Sequence, residues 1–136
     1  MSGAAAKILI LGGLASLLFS FVMAFVLAQA RTADPAADRS LLLQVHRVSL
    51  WEGFMLLGLV WAVALSDLSD GLETIAAVLL VAAAALQFIS NTMSWRAGNE
   101  NLFVPPRGLA YQLAAVNAVL AMIGLVILTI GALRGL

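Results

Sequence analysis

Residues 41–65, LLLQVHRVSLWEGFMLLGLVWAVAL, form an apolar run whose polar residues are gathered near one end. The run is long enough to cross a bilayer as a helix, which takes roughly 20 residues at about 1.5 Å each. Its head, Gln44 to Gly53, holds His46, the only histidine of the chain, and Glu52, an acidic residue set well inside an apolar segment. A charged side chain near the middle of a membrane helix costs about 2.5–3.5 kcal/mol on lenient insertion scales, so such residues usually face a cavity, a partner or a cofactor. Function is expected at this stretch.

The flanking sequence repeats the apolar pattern. Of 136 residues, 63% are hydrophobic and 10% charged, a composition outside the soluble globular range and proper to an integral membrane protein in contact with the lipid bilayer. Seven basic and seven acidic residues balance, which removes the electrostatic case for nucleic acid as a partner. Without cysteine the chain has no disulfide, thiolate nucleophile or cysteine-ligated metal. Four spans are expected, over about 6–29, 41–65, 72–95 and 109–133, as one domain covering residues 1–136. The first span follows Lys7 and carries a loose cleavage-like Val26 to Ala30, but it is too long for a signal-peptide core and is read as a membrane helix. Arg31 to Ser40 contains Pro35 and four charges and is a loop, with Asp38 or Ser40 as N-cap of the second helix. A short acidic connection follows from Ser66 to Glu73, and a longer one, Arg96 to Gly108, is broken by Pro105 and Pro106. Backbone groups in lipid are satisfied only within helices or closed barrels, and short connections make neighbours antiparallel. The expected fold is an all-α, four-transmembrane-helix antiparallel bundle.

In such a bundle the start of helix two, the end of helix three and the start of helix four share one side of the membrane. His46, Ser49 and Glu52 step by three along helix two, and Gly53 lies on the histidine's face, where it is expected to leave space beside the ring. Gln87, Asn91 and Ser94 share a face of helix three with Trp95 at its margin, while Tyr111, Gln112 and Asn117 enter from helix four. The depths match: Glu52 is about 9 Å deeper than His46, and Gln87 about 12 Å deeper than Trp95. Trp51, Trp95 and Tyr111 also suit an interfacial aromatic belt, and the amides suit interhelical hydrogen bonds worth about 0.6 kcal/mol each. A Ser49, His46 and Glu52 triad splays around its helix and has no free oxyanion donor. One histidine with one nearby carboxylate is too little for a closed zinc or copper site, whereas haem needs only a single imidazole because the porphyrin supplies four nitrogens. A quinone or lipid, needing no metal ligand, is the competing occupant.

His46 opening helix two, then Glu52 and Gly53 six and seven residues on, then Phe54 and Met55, resemble styrene oxide isomerase, a small haem b membrane enzyme. Gln87, the Ser90-Asn91 pair and Trp95 extend the resemblance into helix three. It implies ferric haem b ligated by His46, with Arg47, Gly53 and Tyr111 around the cofactor, and a homotrimer holding haem near its protomer interfaces. It implies Glu52, Asn91 and Trp95 as the catalytic residues. The family has asparagine where this chain has Glu52, tyrosine at Trp95 and an acidic residue at Gln87. The implied activity is isomerisation of a small apolar epoxide to a carbonyl compound, a Meinwald-type rearrangement with the metal as Lewis acid. The other reading is a non-catalytic haem- or quinone-binding subunit of a membrane redox complex, with Glu52 handling protons. A third is a structural bundle subunit with no cofactor. A bacterial inner membrane is the expected location. Arg31, Arg39, Arg96 and Arg107 against Lys7 and Arg134 place loops one and three in the cytoplasm.

Overall fold

The computed structural model describes residues 3–136, which form four helices: α1 (Ala4–Ala33), α2 (Ser40–Ala64), α3 (Asp70–Ala97) and α4 (Leu109–Gly135). All four are long and apolar enough to cross a membrane, so the chain is a multi-pass, all-α four-helix bundle. Each helix runs one or more residues past the apolar span at one or both ends. Helical hydrogen bonding does not stop where hydropathy does, and α1 continues through Arg31 and Thr32 until Asp34 turns the chain.

Consecutive helices pair antiparallel. α1 lies on α2 and α3 on α4, with α3 also against α1; α2 and α3 touch across the middle, whereas α1 and α4 do not meet. The α1–α2 contact is made by small residues. A Cβ added to Gly53 would stand 2.8 Å from Leu17 and 3.1 Å from the Gly13 carbonyl oxygen, and one on Gly13 would stand 2.8 Å from Leu57. Ser16, Ser20 and Ser49 complete the buried seam, and Ser16 and Ser49 satisfy their hydroxyls on the carbonyls of Gly12 and Val45, one turn back. Small residues let membrane helices approach closely where there is no hydrophobic gain from doing so. Gly53 therefore opens no space beside His46 for a ligand; α1 fills that space.

One apolar core, built on Leu9, Leu56, Val60, Ala76, Ala77, Leu80 and Leu128, occupies the loop-two half. A smaller one, of Met23, Leu27, Leu42 and Val45 with Trp95 against it, closes the loop-one end. Along α4, burial is confined to Gly124, Leu128 and Gly131, all in its C-terminal half. Its N-terminal half is held to α3 by Ser90 Oγ, which donates to the Ala110 carbonyl at 2.7 Å. The large apolar side chains left exposed, such as Phe21, Phe25, Trp61 and Met122, suit the lipid.

The expected N-cap of α2 is corrected. Arg39 occupies that position, and neither Asp38 nor Ser40 makes the side-chain cap bond. Asp38 instead accepts from the Ser40 backbone N–H at 2.8 Å, forming a turn that launches the helix. The Arg39 guanidinium reaches back to the Ala30 carbonyl at 2.6 Å, pinning loop one to the end of α1. On the same side of the bundle, α3 stops at Gly98, whose φ of 62° is the left-handed conformation that glycine adopts freely. Asn99 N–H donates to Ser94 O and Gly98 N–H to Trp95 O, a Schellman closure that turns loop three back over the bundle.

Candidate functional site

Four turns of α1 bring Ser20 opposite His46. His46 Nδ1 is 2.9 Å from the Ser20 carbonyl oxygen and 2.9 Å from Ser20 Oγ, and the Ser20 hydroxyl donates to the His46 carbonyl at 3.0 Å. A carbonyl oxygen can only accept, so Nδ1 carries the proton. In the neutral ring Nε2 is then the nitrogen with the lone pair, and among the described residues it has no hydrogen-bond partner. A backbone carbonyl on one ring nitrogen is the arrangement that orients an imidazole for ligation through the other. Ser20 was not anticipated from the sequence. The signal was Gly12-Gly13, Ser16 and Ser20, a notch of small residues at helical spacing in an otherwise bulky span.

The second cluster joins α3 to α4. Asn117 Nδ2 donates to Gln87 Oε1, and Gln87 Nε2 donates to Asn91 Oδ1 at 3.0 Å. The amides thus point one way, and the terminal donor, Asn91 Nδ2, is buried with no partner. Asn91 is only 5% exposed. It lines a cavity of about 110 Å³, bounded by Leu41 and Gln44 of α2, by Ser94, and by residues 99–103 of loop three. Among the described residues, Glu52 Oε2 is the other buried side-chain nitrogen or oxygen left without a partner.

These groups share one side of the membrane, as their positions along the helices require, but packing distributes them around α2. At 3.6 residues per turn, His46 and Glu52 point roughly 120° apart. The histidine goes to α1, and Glu52 falls within about 20° of Leu41, a cavity-lining residue three turns earlier. His46 and the Asn91 cavity are therefore separated by α2 within one chain. Trp95 lies elsewhere again, half-buried on Met23, Leu27, Leu42 and Val45 beneath loop one. Tyr111 is engaged by loop three, edge-on to Phe103 at 5.9 Å with the Arg107 guanidinium 5.0 Å above its ring. Arg47 and Gln112 are exposed.

Among the described residues no three His, Asp or Glu side chains converge as a metal site. A metal here would need a cofactor that brings its own ligands, and a single imidazole with a fixed tautomer and an unshared Nε2 is what haem requires of a protein. Arg47, one residue on and exposed, is a cation of the kind that holds a carboxylate substituent. Comparison with protein families, with curated proteins and with solved structures finds no match for this chain.

Proposed function

We propose that this chain is a haem b membrane protein of the isomerase kind, converting a small apolar epoxide to a carbonyl compound. The observation that supports the cofactor is the Ser20 carbonyl at His46 Nδ1, which leaves Nε2 as the atom that would ligate the iron. Ferric haem, when bound, would supply a Lewis-acid centre for the epoxide oxygen. The isomerisation breaks one C–O bond, moves a hydride to the adjoining carbon and forms C=O, with no net electrons and no water. The chain's own task is to hold the ring and keep water from the developing cation. Trp95 offers a π face for positive charge, and Asn91 a hydrogen-bond donor to oxygen. Because α2 separates Asn91 from His46 in one chain, the isomerase reading calls for a site completed by a second chain. The trimer implied by the family resemblance provides one. The bacterial inner membrane is its proposed location.

The separation of His46 from Glu52 favours a second reading, a haem- or quinone-binding subunit of a redox complex in which Glu52 handles protons. The test begins with the absorption spectrum of the detergent-purified protein, expected to show a Soret band that His46→Ala removes while the variant stays folded. Turnover of an aryl epoxide by the ferric protein, slowed on anaerobic reduction and restored on reoxidation, supports the isomerase. A haem-replete ferric protein with no epoxide turnover overturns it in favour of the redox subunit.

A further inference from the structure

Glu52 is half-buried, and its Oε2 is enclosed without a hydrogen-bond partner, as is Asn91 Nδ2 on the facing helix. Depths measured along the helices from the loop-one and loop-three side order the polar groups. Ser94 and Gln44 lie roughly 5 Å in, Asn91 about 9 Å, Asn117 and Gln87 about 12–15 Å, and Glu52 about 18 Å. The first three line the cavity of about 110 Å³ beneath loop three. A buried water needs on the order of 10–15 Å³ by this measure and two to four polar partners, so the cavity has room and partners for several. The unpartnered Asn91 Nδ2 is one such partner. Beyond Glu52 the path ends. Leu56, Val60, Ala76, Ala77, Leu80 and Leu128 close the bundle with a dry apolar core toward loop two.

We propose that Glu52 exchanges its proton with the loop-one and loop-three side of the membrane alone, through water held in the Asn91 cavity and the amide wedge behind it. The groups facing this path are neutral: Gln87, Asn91 and Ser94 from α3, Asn117 from α4, and Gln44 from α2. Glu100 is the charged residue at the mouth. His46 is turned into the α1 contact, Arg47 is exposed on another face of α2, and the polar residues buried on α1, among the described residues, are Ser16 and Ser20. The inference does not depend on haem. It gives the chain a one-sided proton site in the bilayer interior, open to coupling with whatever chemistry occurs at His46.

The absence of cysteine from these 136 residues makes the path directly testable in the intact chain. Single cysteines are placed at Asn91, Ser94 and Leu80, with Asn101→Cys and Asp67→Cys marking the two faces in reconstituted vesicles. A small membrane-impermeant thiosulfonate added on one side is expected to label Ser94→Cys and Asn91→Cys only under conditions that label Asn101→Cys, and to leave Leu80→Cys unlabelled from either side. Labelling of Asn91→Cys that follows Asp67→Cys, or none in a variant with normal helical content, overturns the proposal. Dicyclohexylcarbodiimide supplies an independent arm on the unaltered chain. Its C=N bond adds the O–H of a protonated carboxyl, and the gain in mass on the Glu52 peptide is expected to rise as the loop-three side alone is acidified. Glu52→Gln abolishes that gain, and Glu73, the buried carboxyl at the loop-two end of α3, is scored on its own peptide. Modification of Glu52 that ignores the pH of that side, or follows the other, also overturns it.

Discussion

His46 Nδ1 stands 2.9 Å from the Ser20 carbonyl oxygen, so the imidazole is oriented by the neighbouring helix and not by its own. The acceptor is backbone, which separates two variants that would otherwise look alike. Ser20→Ala keeps the carbonyl and loses only the hydroxyl, leaving the His46 carbonyl without its second donor. The expected cost is about 1 kcal/mol in detergent unfolding, with any Soret band intact. His46→Ala is expected to lose the band. A Ser20→Ala protein that folds but has lost its haem spectrum would show that the hydroxyl, not the carbonyl, positions the ring.

The two glycines of α2 are predicted to behave oppositely. Gly53→Ala puts a methyl 2.8 Å from Leu17 and 3.1 Å from the Gly13 carbonyl, and part of that contact is backbone that cannot swing away. Overpacking of this kind costs about 1–3 kcal/mol. Nothing lies within 4 Å of a Cβ on Gly58, so Gly58→Ala is expected to be neutral or to gain up to about 1 kcal/mol from helix propensity. Thermal unfolding of the two variants side by side is the measurement, and equal shifts would contradict the close approach of α1 and α2.

Gln87 and Asn117 join α3 to α4 where α4 is otherwise little buried. A double-mutant cycle with Gln87→Ala and Asn117→Ala is expected to return a coupling of about 0.6 kcal/mol, and no more than about 1.7, the range found for hydrogen bonds between membrane helices. Strict additivity of the two losses would mean the amides do not hold the helices together.

Asp38 makes the start of α2 sensitive to acid. Its carboxylate accepts from the Ser40 backbone N–H and from the Ser40 hydroxyl, and these bonds hold its pKa below the ordinary value of 3.8. A carboxyl depressed on folding contributes fully above that ordinary value and loses its contribution as pH falls through the lower folded-state one. Exchange of the first amides of α2 should therefore quicken below about pH 4 in the native protein, and Asp38→Asn should show no such acid step. An unchanged step in the variant would assign it to another carboxyl.

Much of the candidate site was legible as an inventory. A lone histidine, a carboxyl inside an apolar run and amides at helical spacing on α3 all stand out against lipid-compatible sequence, because a polar side chain in a membrane helix is costly enough to be informative. Their grouping was not legible. Periodicity reports the angle between two residues of one helix, such as the roughly 120° between His46 and Glu52, but not which neighbour each one meets.

What the sequence by itself determined is the class and the layout: four membrane-length helices, their antiparallel order through short loops, and the gathering of the polar residues on the loop-one and loop-three side. Those follow from hydropathy, length and the need to satisfy backbone groups in lipid. Tertiary structure alone decided that Ser20 orients His46, that Gly53 receives α1, and that the Asn91 cavity opens on another face of α2 from the imidazole. The reason is that apolar faces are interchangeable in a bilayer. The choice of partner falls to close steric fit, here the glycine and serine seam between α1 and α2, and that fit is a property of two surfaces together.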